Sequence, residues 1–321
     1  MRKLRIRPPA YTDRNTLEVG GFARTYWVAP QPPEPAVGGG PEPGPPPLLI
    51  GFHGLGSSGS RMAWWTGLGT RGPVEGFQCV FPDALEQIWD DHGCGRRDGA
   101  DDVAFVGALI DELVQTGAAD PGRVFMTGVS TGATFVERVV RIGAVEVSGI
   151  GLVTGTARVA SCGVAPIAAG PTAVLLMAGT ADPMLPYAGG LPRGSMGRLA
   201  LKHVRRILLD ESGHESAPPE ALAAEWAAAN GCVGVPSVDS LNGAAGGKYR
   251  VERLTWAPGA PGSPPVILYR IQGGGHGWPG SRQYMPACLI GPIPQHLDAT
   301  AIVLDFARAT FGCGAAPRNH R

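Results

Sequence analysis

The sequence predicts an α/β fold in which helices flank both faces of a mostly parallel β-sheet. Short apolar runs of strand length alternate with amphipathic helical patterns, which is typical of parallel strands joined by crossover helices. Several of these runs end directly in glycine-rich turns, as buried strands do when their carboxyl ends open into a site. The chain has 321 residues, and we predict that residues 1–321 form a single domain.

Composition and charge exclude several kinds of partner. Lys plus Arg and Asp plus Glu number 27 each, with no basic stripe, so we expect no nucleic-acid binding. No apolar run approaches the roughly 18 residues of a membrane span. The 49 glycines and 31 prolines exceed average usage, but they concentrate in residues 30–47, which we interpret as a long surface loop.

The N-terminus and the cysteines give little information about compartment. Positive charge at residues 2–7 is followed by prolines rather than an apolar core, so no signal peptide is visible and the sequence as written predicts a cytoplasmic protein. The six cysteines are scattered and neither predict nor exclude disulfides. Metal-binding side chains cluster at residues 90–94, but we interpret that cluster as a polar loop and predict neither a metal nor a cofactor.

The first half of the chain contains most of the predicted sheet. Two short strands meet at Gly20 and Gly21. Buried strands are predicted at residues 47–52, 76–83 and 123–129, and a helix begins near residues 60–65.

The clearest helical pattern follows Asp101 and Asp102. Apolar side chains recur there at helical spacing, at Val103, Val106, Ile110 and Leu113. Two adjacent carboxylates are candidates for acid–base chemistry, but their place before the first turn favours helix capping and a favourable interaction with the helix dipole.

The second half continues the same alternation with an interruption. Strands are predicted at residues 147–154, 172–180 and 266–271, and helices at residues 220–229 and 296–311. Residues 189–218 form a less regular insertion. That insertion is a candidate lid, although a plain surface excursion explains it equally well.

A nucleophile elbow is predicted at Gly128, Ser130 and Gly132. An apolar strand pattern stops at this Gly-x-Ser-x-Gly sequence and a helical pattern begins. A serine that attacks a carbonyl must stand clear of its own backbone, which requires a sharp turn with glycines where side chains would collide. The elbow and its context predict the α/β-hydrolase fold.

Two backbone amides are predicted to form an oxyanion hole. In α/β-hydrolases one donor comes from the residue after the nucleophile and another from the loop after the third strand. These are Thr131 and Leu55, and Leu55 follows His53 and Gly54 at the end of a buried strand. We interpret the His53 ring as a support for this loop rather than a reacting group.

The partners of the serine are predicted from chain order. The triad of this fold runs Ser, then Asp or Glu, then His. Among later aspartates only Asp182 lies just past a buried-strand pattern, and among later histidines only His276 lies in a glycine-rich loop after a strand. His276 would take the proton of Ser130, and Asp182 would fix the imidazole tautomer. These roles require neither metal nor cofactor.

Several motifs at the ends of strands resemble a known family. They are His53-Gly-Leu-Gly, Asp101-Asp-Val-Ala-Phe, Asp120-Pro-Gly-Arg-Val, Gly128-Val-Ser-Thr-Gly, Gly179-Thr-Ala-Asp-Pro, Pro186-Tyr-Ala-Gly-Gly, Asn230-Gly-Cys and Gly273-Gly-Gly-His-Gly-Trp-Pro-Gly. Across residues 17–312 the chain is similar to the polyhydroxybutyrate depolymerase-like esterases, which include feruloyl and acetylxylan esterases.

This resemblance implies a carboxylic ester hydrolase that forms an acyl-enzyme on Ser130. Its substrates would be small or oligomeric esters carrying feruloyl, acetyl or similar short acyl groups. Trp278 and Trp89 would line the acyl or sugar side, with ordinary core packing as the alternative for each. Other readings are a polyester depolymerase, a peptidase with the same triad, and a hydrolase-fold protein that only binds a ligand or partner.

The chain departs from the resembled family in three places. Leu55 stands where relatives commonly have cysteine, and since the backbone amide is the donor, the oxyanion hole should survive. Cys232 lacks its usual partner, because Trp256 is followed by Ala257 and Pro258. Most relatives are secreted, whereas no leader is visible here.

Overall fold

The computed structural model describes residues 13–30, 44–159, 165–193, 199, 202, 203, 206, 207, 215–241 and 250–312. Within these ranges the chain forms a ten-stranded sheet and a separate pair of two-residue strands. The strands are β1 (Asp13–Val19), β2 (Phe22–Val28), β3 (Leu48–Phe52), β4 (Gln78–Pro82), β5 (Val124–Val129), β6 (Gly149–Val153), β7 (Arg158–Val159), β8 (Ala173–Gly179), β9 (Glu215–Ser216), β10 (Val233–Leu241), β11 (Val251–Ala257) and β12 (Val266–Ile271).

The centre of the large sheet is parallel. The strand order is β1-β2-β4-β3-β5-β6-β8-β12-β11-β10, and the strands from β4 to β12 in that order pair in parallel. The outer strands β1, β2, β11 and β10 pair antiparallel. Every carboxyl end of the central strands therefore lies on one edge of the sheet, where an open parallel sheet carries its site.

Helices cover both faces of this sheet. They are α1 (Gly59–Thr66), α2 (Leu68–Val74), α3 (Asp102–Gln115), α4 (Thr131–Arg141), α5 (Pro219–Ala229), α6 (Ala287–Ile290) and α7 (Ala299–Gly312). Successive strand side chains point to opposite faces, so Ile50 belongs to one apolar core and Leu49 to the other. The Ile50 core includes side chains of α3, α4 and α5, whereas the Leu49 core includes those of α1, α2 and α7.

The predicted elements are present, together with several that the sequence did not predict. The strand at 266–271 coincides with β12, and the helix at 220–229 begins one residue earlier, at Pro219. Strands β10 and β11 were not predicted. Most of β10 is exposed on both faces, so it lacks the alternation that identifies a half-buried strand. The sheet extends to it because β11 offers free backbone donors and acceptors.

Asp101 and Asp102 have separate structural roles. The Asp101 carboxylate accepts hydrogen bonds from the amides of Val103 and Ala104 at 2.9 Å each, so the predicted helix cap is confirmed. Asp102 instead forms a fully buried ion pair with Arg24 at 2.7 Å. Its second carboxylate oxygen accepts the Asp90 amide at 2.8 Å, which ties the loop after β4 to the start of α3.

The predicted loop at 30–47, the insertion at 189–218 and the single domain over 1–321 lie partly outside the described residues. The structure does not describe residues 31–43 of the loop or most of residues 194–214 of the insertion. The single domain over residues 1–321 and the lid at 189–218 remain predictions. In the described ranges, no helix has the length and apolar character needed to cross a membrane.

Candidate active site

Ser130 occupies a strained turn between β5 and α4. Its φ of 56° and ψ of −128° lie in a region that non-glycine residues rarely adopt, at a cost of about 1–3 kcal/mol. A side chain on Gly132 would overlap the carbonyl oxygens of Phe52 and His53, and one on Gly128 would overlap the backbone of Gly132. The two glycines allow the strand and helix to approach closely enough to hold the turn.

Three distant side chains meet at the carboxyl edge of the sheet. His276 Nε2 lies 2.8 Å from Ser130 Oγ, and His276 Nδ1 lies 2.7 Å from Asp182 Oδ2. Ser130 follows β5, Asp182 follows β8 and His276 follows β12. The imidazole and carboxylate are buried, which protects their hydrogen bond from competition with water. The structure thus brings together the three residues that the sequence selected.

The loop after β8 fixes the orientation of Asp182. Its Oδ1 atom accepts the amides of Met184 and Leu185 at 2.8 and 2.9 Å. The other oxygen is thereby directed toward the imidazole of His276. An ionised carboxylate accepts hydrogen bonds only, so His276 Nδ1 must be the donor and Nε2 is left to accept from the serine.

The His276 loop is held by a neighbouring segment of chain. The His276 amide donates to the Ile290 carbonyl at 2.6 Å, and the Gly275 amide donates to the Pro292 carbonyl at 2.8 Å. A side chain on Gly275 would overlap the backbone of Gly291. These contacts position the imidazole without using either of its nitrogens.

The two predicted oxyanion amides are available for a ligand. Thr131 is the first residue of α4, where backbone amides have no acceptor within the helix. In the part of the chain that the structure describes, neither the Thr131 nor the Leu55 amide donates to a protein acceptor. The Leu55 loop passes close to the serine, because a Cβ on Gly54 would lie 3.3 Å from Ser130 Cβ.

The His53 ring supports this loop, as the sequence indicated. Its Nε2 accepts the Ala84 amide at 3.1 Å, and its Nδ1 lies 2.8 Å from the Gly54 carbonyl oxygen. These partners require the neutral tautomer that carries its proton on Nδ1. Burial lowers the pKa of His53, which favours this neutral form.

Trp89 and Trp278 are core residues in the structure. Both side chains are completely buried, so neither presents a surface to a substrate. Trp89 stacks on Phe135 with ring centroids 4.9 Å apart, and Trp278 donates to Thr300 Oγ1 at 2.9 Å. The interpretation of these tryptophans as substrate-lining residues is therefore wrong for this structure, and the packing alternative accounts for both.

Trp89 also contributes to the site indirectly. Its indole N–H donates to the His53 carbonyl at 3.0 Å, two residues before the Leu55 amide. No sequence signal distinguished this role, because a tryptophan in an apolar context is equally consistent with packing alone.

The polar cluster after β4 forms internal contacts. Asp91 pairs with His92 at 2.7 Å, Asp90 accepts the Gly93 amide at 2.9 Å, and Cys94 is in a disulfide bond. Cys232 is a free thiol. Among the described residues, no group of three or more His, Cys, Asp or Glu is arranged to hold a metal.

The strand order and the strained turn after β5 define an α/β-hydrolase fold. No protein-family model matches the sequence. The chain is 27% identical over 305 residues to "Putative esterase NocK" of Nocardia uniformis subsp. tsuyamanensis, a match that covers 92% of this chain and 83% of that protein. The resemblance to the polyhydroxybutyrate depolymerase-like group stays a prediction.

Two solved structures are similar at low identity. The acetyl xylan esterase from Aspergillus awamori gives a TM-score of 0.47 at 12% identity, covering 79% of this chain and 89% of that one. The S-formylglutathione hydrolase FrmB from Staphylococcus aureus gives 0.43 at 12% identity, covering 53% and 80%.

Proposed function

We propose that the protein is a serine carboxylic ester hydrolase that works through an acyl-enzyme on Ser130. The observation that carries this proposal is the continuous hydrogen-bonded chain from Ser130 Oγ through His276 to Asp182. The strained backbone at Ser130 adds support, because such strain persists only where the surrounding structure enforces it and it concentrates at functional sites.

In the first half of the reaction, Ser130 Oγ forms a bond to the ester carbonyl carbon while His276 Nε2 takes the serine proton. The carbonyl oxygen becomes an oxyanion and accepts hydrogen bonds from the amides of Leu55 and Thr131. When the carbon–alkoxy bond breaks, His276 returns the proton to the departing alkoxide. Asp182 stabilises the transient imidazolium without taking its proton.

In the second half, water replaces the alcohol. His276 Nε2 accepts a proton from water as the water oxygen bonds to the acyl carbon, and the same oxyanion hole holds the intermediate. The bond to Ser130 Oγ then breaks, the serine regains its proton from His276 and the carboxylic acid departs. A single imidazole thus serves both steps, which requires that its orientation be fixed as the Asp182 loop allows.

The relative from Nocardia uniformis supports the same class of reaction, since its printed name describes an esterase and the match extends over 92% of this chain. The substrate class is the finer part of the proposal. We propose esters with feruloyl, acetyl or similar short acyl groups, on the strength of the motif resemblance.

Hydrolysis of p-nitrophenyl acetate by the wild-type protein and by Ser130→Ala tests the reaction. We expect the variant to lose at least about a thousandfold in kcat, and mass spectrometry of quenched wild-type enzyme to show an acetyl group on the Ser130 peptide. Ser148→Ala is the matched control, because Ser148 lies at the amino end of β6 and bonds the Gly122 carbonyl. Equal rates for wild type and Ser130→Ala would refute the proposal.

A comparison of substrates tests the proposed preference for feruloyl, acetyl or similar short acyl groups. Methyl ferulate, acetylated xylan and short hydroxybutyrate oligomers are offered at equal ester concentration to the wild-type protein. We expect a higher kcat/KM on one of the first two. Preference for the hydroxybutyrate oligomers would instead assign the protein to the polyester depolymerases.

A further inference from the structure

An aromatic pair stands beside the candidate site and has no role in the chemistry described above. Tyr284 and Trp65 meet edge to face, with ring centroids 5.2 Å apart and an interplanar angle of 83°. Tyr284 is 48% exposed, although it is a large aromatic side chain in a folded segment. An exposed ring of this kind loses unfavourable contact with water when a planar or ring-shaped group covers it.

The pair is held rigidly. The indole N–H of Trp65 donates to the Arg282 carbonyl at 2.9 Å, which anchors the Tyr284 segment to α1. Gln283 donates to the Gly291 carbonyl at 3.0 Å and accepts the Ile293 amide at 2.8 Å. Residues 290–293 are the same stretch that holds the His276 loop, so the aromatic pair and the imidazole share one support.

Tyr284 lies on the imidazole side of the site. A Cβ on Gly277, the residue after His276, would lie 3.6 Å from Tyr284 Cε1. The oxyanion amides of Leu55 and Thr131 belong to different elements, the β3 loop and the start of α4.

The position of Tyr284 on the imidazole side determines which part of an ester it can contact. The leaving alkoxide takes its proton from His276, so the alcohol group of a bound ester must lie against the imidazole side. The carbonyl oxygen points instead to the Leu55 and Thr131 amides. The Tyr284 ring, on the imidazole side, is therefore placed to contact the alcohol group rather than the acyl group.

We infer that the exposed Tyr284 ring, braced by Trp65, binds a ring-bearing alcohol group of the ester and gives the enzyme a preference for such alcohols. This inference rests on the proposed ester hydrolysis and adds the class of alcohol to it.

Four esters separate the alcohol from the acyl group: benzyl acetate, butyl acetate, benzyl butyrate and butyl butyrate. For Tyr284→Ala we expect kcat/KM on both benzyl esters to fall about two- to twelvefold more than on the matching butyl esters, mainly through KM, since an aromatic contact contributes about 0.5–1.5 kcal/mol. Tyr284→Phe keeps the ring and should retain most of the benzyl preference. Val235→Ala is the exposed apolar control, because Val235 is 88% exposed on β10.

The outcomes distinguish the two proposals. A wild-type protein that hydrolyses none of the four esters overturns both. Two results overturn only the alcohol-binding inference when the wild-type protein hydrolyses the esters. In one, the kcat/KM of Tyr284→Ala falls equally on benzyl and butyl esters. In the other, the fall in kcat/KM depends on whether the acyl group is acetyl or butyryl. The urea midpoint of Tyr284→Ala is compared with that of the wild type. Equal midpoints establish that the substitution has not disturbed the fold.

Discussion

The indole N–H of Trp89 donates a 3.0 Å hydrogen bond to the carbonyl of His53, and this bond fixes the loop that presents the Leu55 amide. The His53 ring also holds this loop, because its Nε2 atom accepts the Ala84 amide. Two buried groups, the Trp89 indole and the His53 ring, thus hold the loop that carries one of the predicted oxyanion donors.

Trp89→Phe should therefore impair turnover rather than substrate binding. We expect kcat to fall about tenfold with KM little changed, less than the 100-fold or greater loss that follows removal of an oxyanion donor. Leaving the His53 carbonyl unpaired should also cost about 1–3 kcal/mol of unfolding free energy. Steady-state kinetics and urea unfolding measure the two effects.

Trp226→Phe provides the matched control. Trp226 is also fully buried, and its indole donates at 3.1 Å to Glu137, which lies in the carboxyl-terminal half of α4, away from the Ser130 turn at the start of that helix. We expect a comparable loss of stability with kcat unchanged. An equal loss of kcat in the two variants would show that Trp89 acts only through general stability.

Asp182→Asn should abolish most of the activity while preserving the fold. Because the Met184 and Leu185 amides require an acceptor, the asparagine oxygen should face them and its NH₂ should face His276. The imidazole must then accept at Nδ1 and carry its proton on Nε2, so it no longer accepts the Ser130 proton. We expect kcat to fall by roughly 10⁴-fold.

This loss is measured with p-nitrophenyl acetate, with circular dichroism to monitor the fold. Retention of more than about a tenth of wild-type kcat in Asp182→Asn would contradict the assigned role of the carboxylate.

Gly132→Ala should destabilise the protein because its methyl group meets backbone. The added Cβ would overlap the carbonyl oxygens of Phe52 and His53, which no side-chain rotation relieves. We expect a loss of about 1–3 kcal/mol in unfolding free energy and reduced activity, since β3 and α4 must separate. Thermal or urea unfolding measures the first effect.

Gly107→Ala is the corresponding control in α3. Nothing lies within 4 Å of a Cβ at Gly107, and alanine favours the helix over glycine by about 0.5–1 kcal/mol. We therefore expect the opposite sign, a modest gain in stability. A similar loss in both variants would refute the backbone-overlap explanation for Gly132.

Glu225 should contribute to stability in a pH-dependent way. It accepts two hydrogen bonds from Arg141 at 2.7 Å each, and this guanidinium lowers the pKa of the Glu225 carboxyl. A carboxyl whose folded pKa lies below its unfolded value stabilises the fold above the unfolded pKa, about 4.3, and loses that contribution as pH falls through the folded pKa. The Glu225 side chain is 48% exposed, so the effect should stay below about 1 kcal/mol.

Urea midpoints of wild type and Glu225→Gln compare the two proteins from pH 7 down to pH 3. The urea midpoint of the wild type should exceed that of Glu225→Gln at pH 7, and the difference should shrink below about pH 4.3. Asp111→Asn, a change at an exposed position of α3, serves as the control. An advantage that grows on acidification would contradict the sign of the shift.

Local sequence patterns predicted the elements whose buried side chains pack against an apolar core. The buried strand β12 follows from its largely apolar run, because side chains on both of its faces meet a core. The amphipathic α3 follows from apolar periodicity, because one face of that helix meets a core. The exposed β10 could not be predicted in that way, since its pairing depends on β11 and not on its own side chains.

The amino-acid sequence by itself determined the fold class and the three residues at the carboxyl edge, because glycine spacing, chain order and strand-end position are all local or ordered along the chain. Only the tertiary structure decided that Trp89 and Trp278 are core residues, that Asp102 pairs with Arg24, and that Tyr284 stands exposed beside Gly277. Each of those outcomes depends on which residues from distant segments become neighbours, and periodicity along one chain carries no information about such contacts.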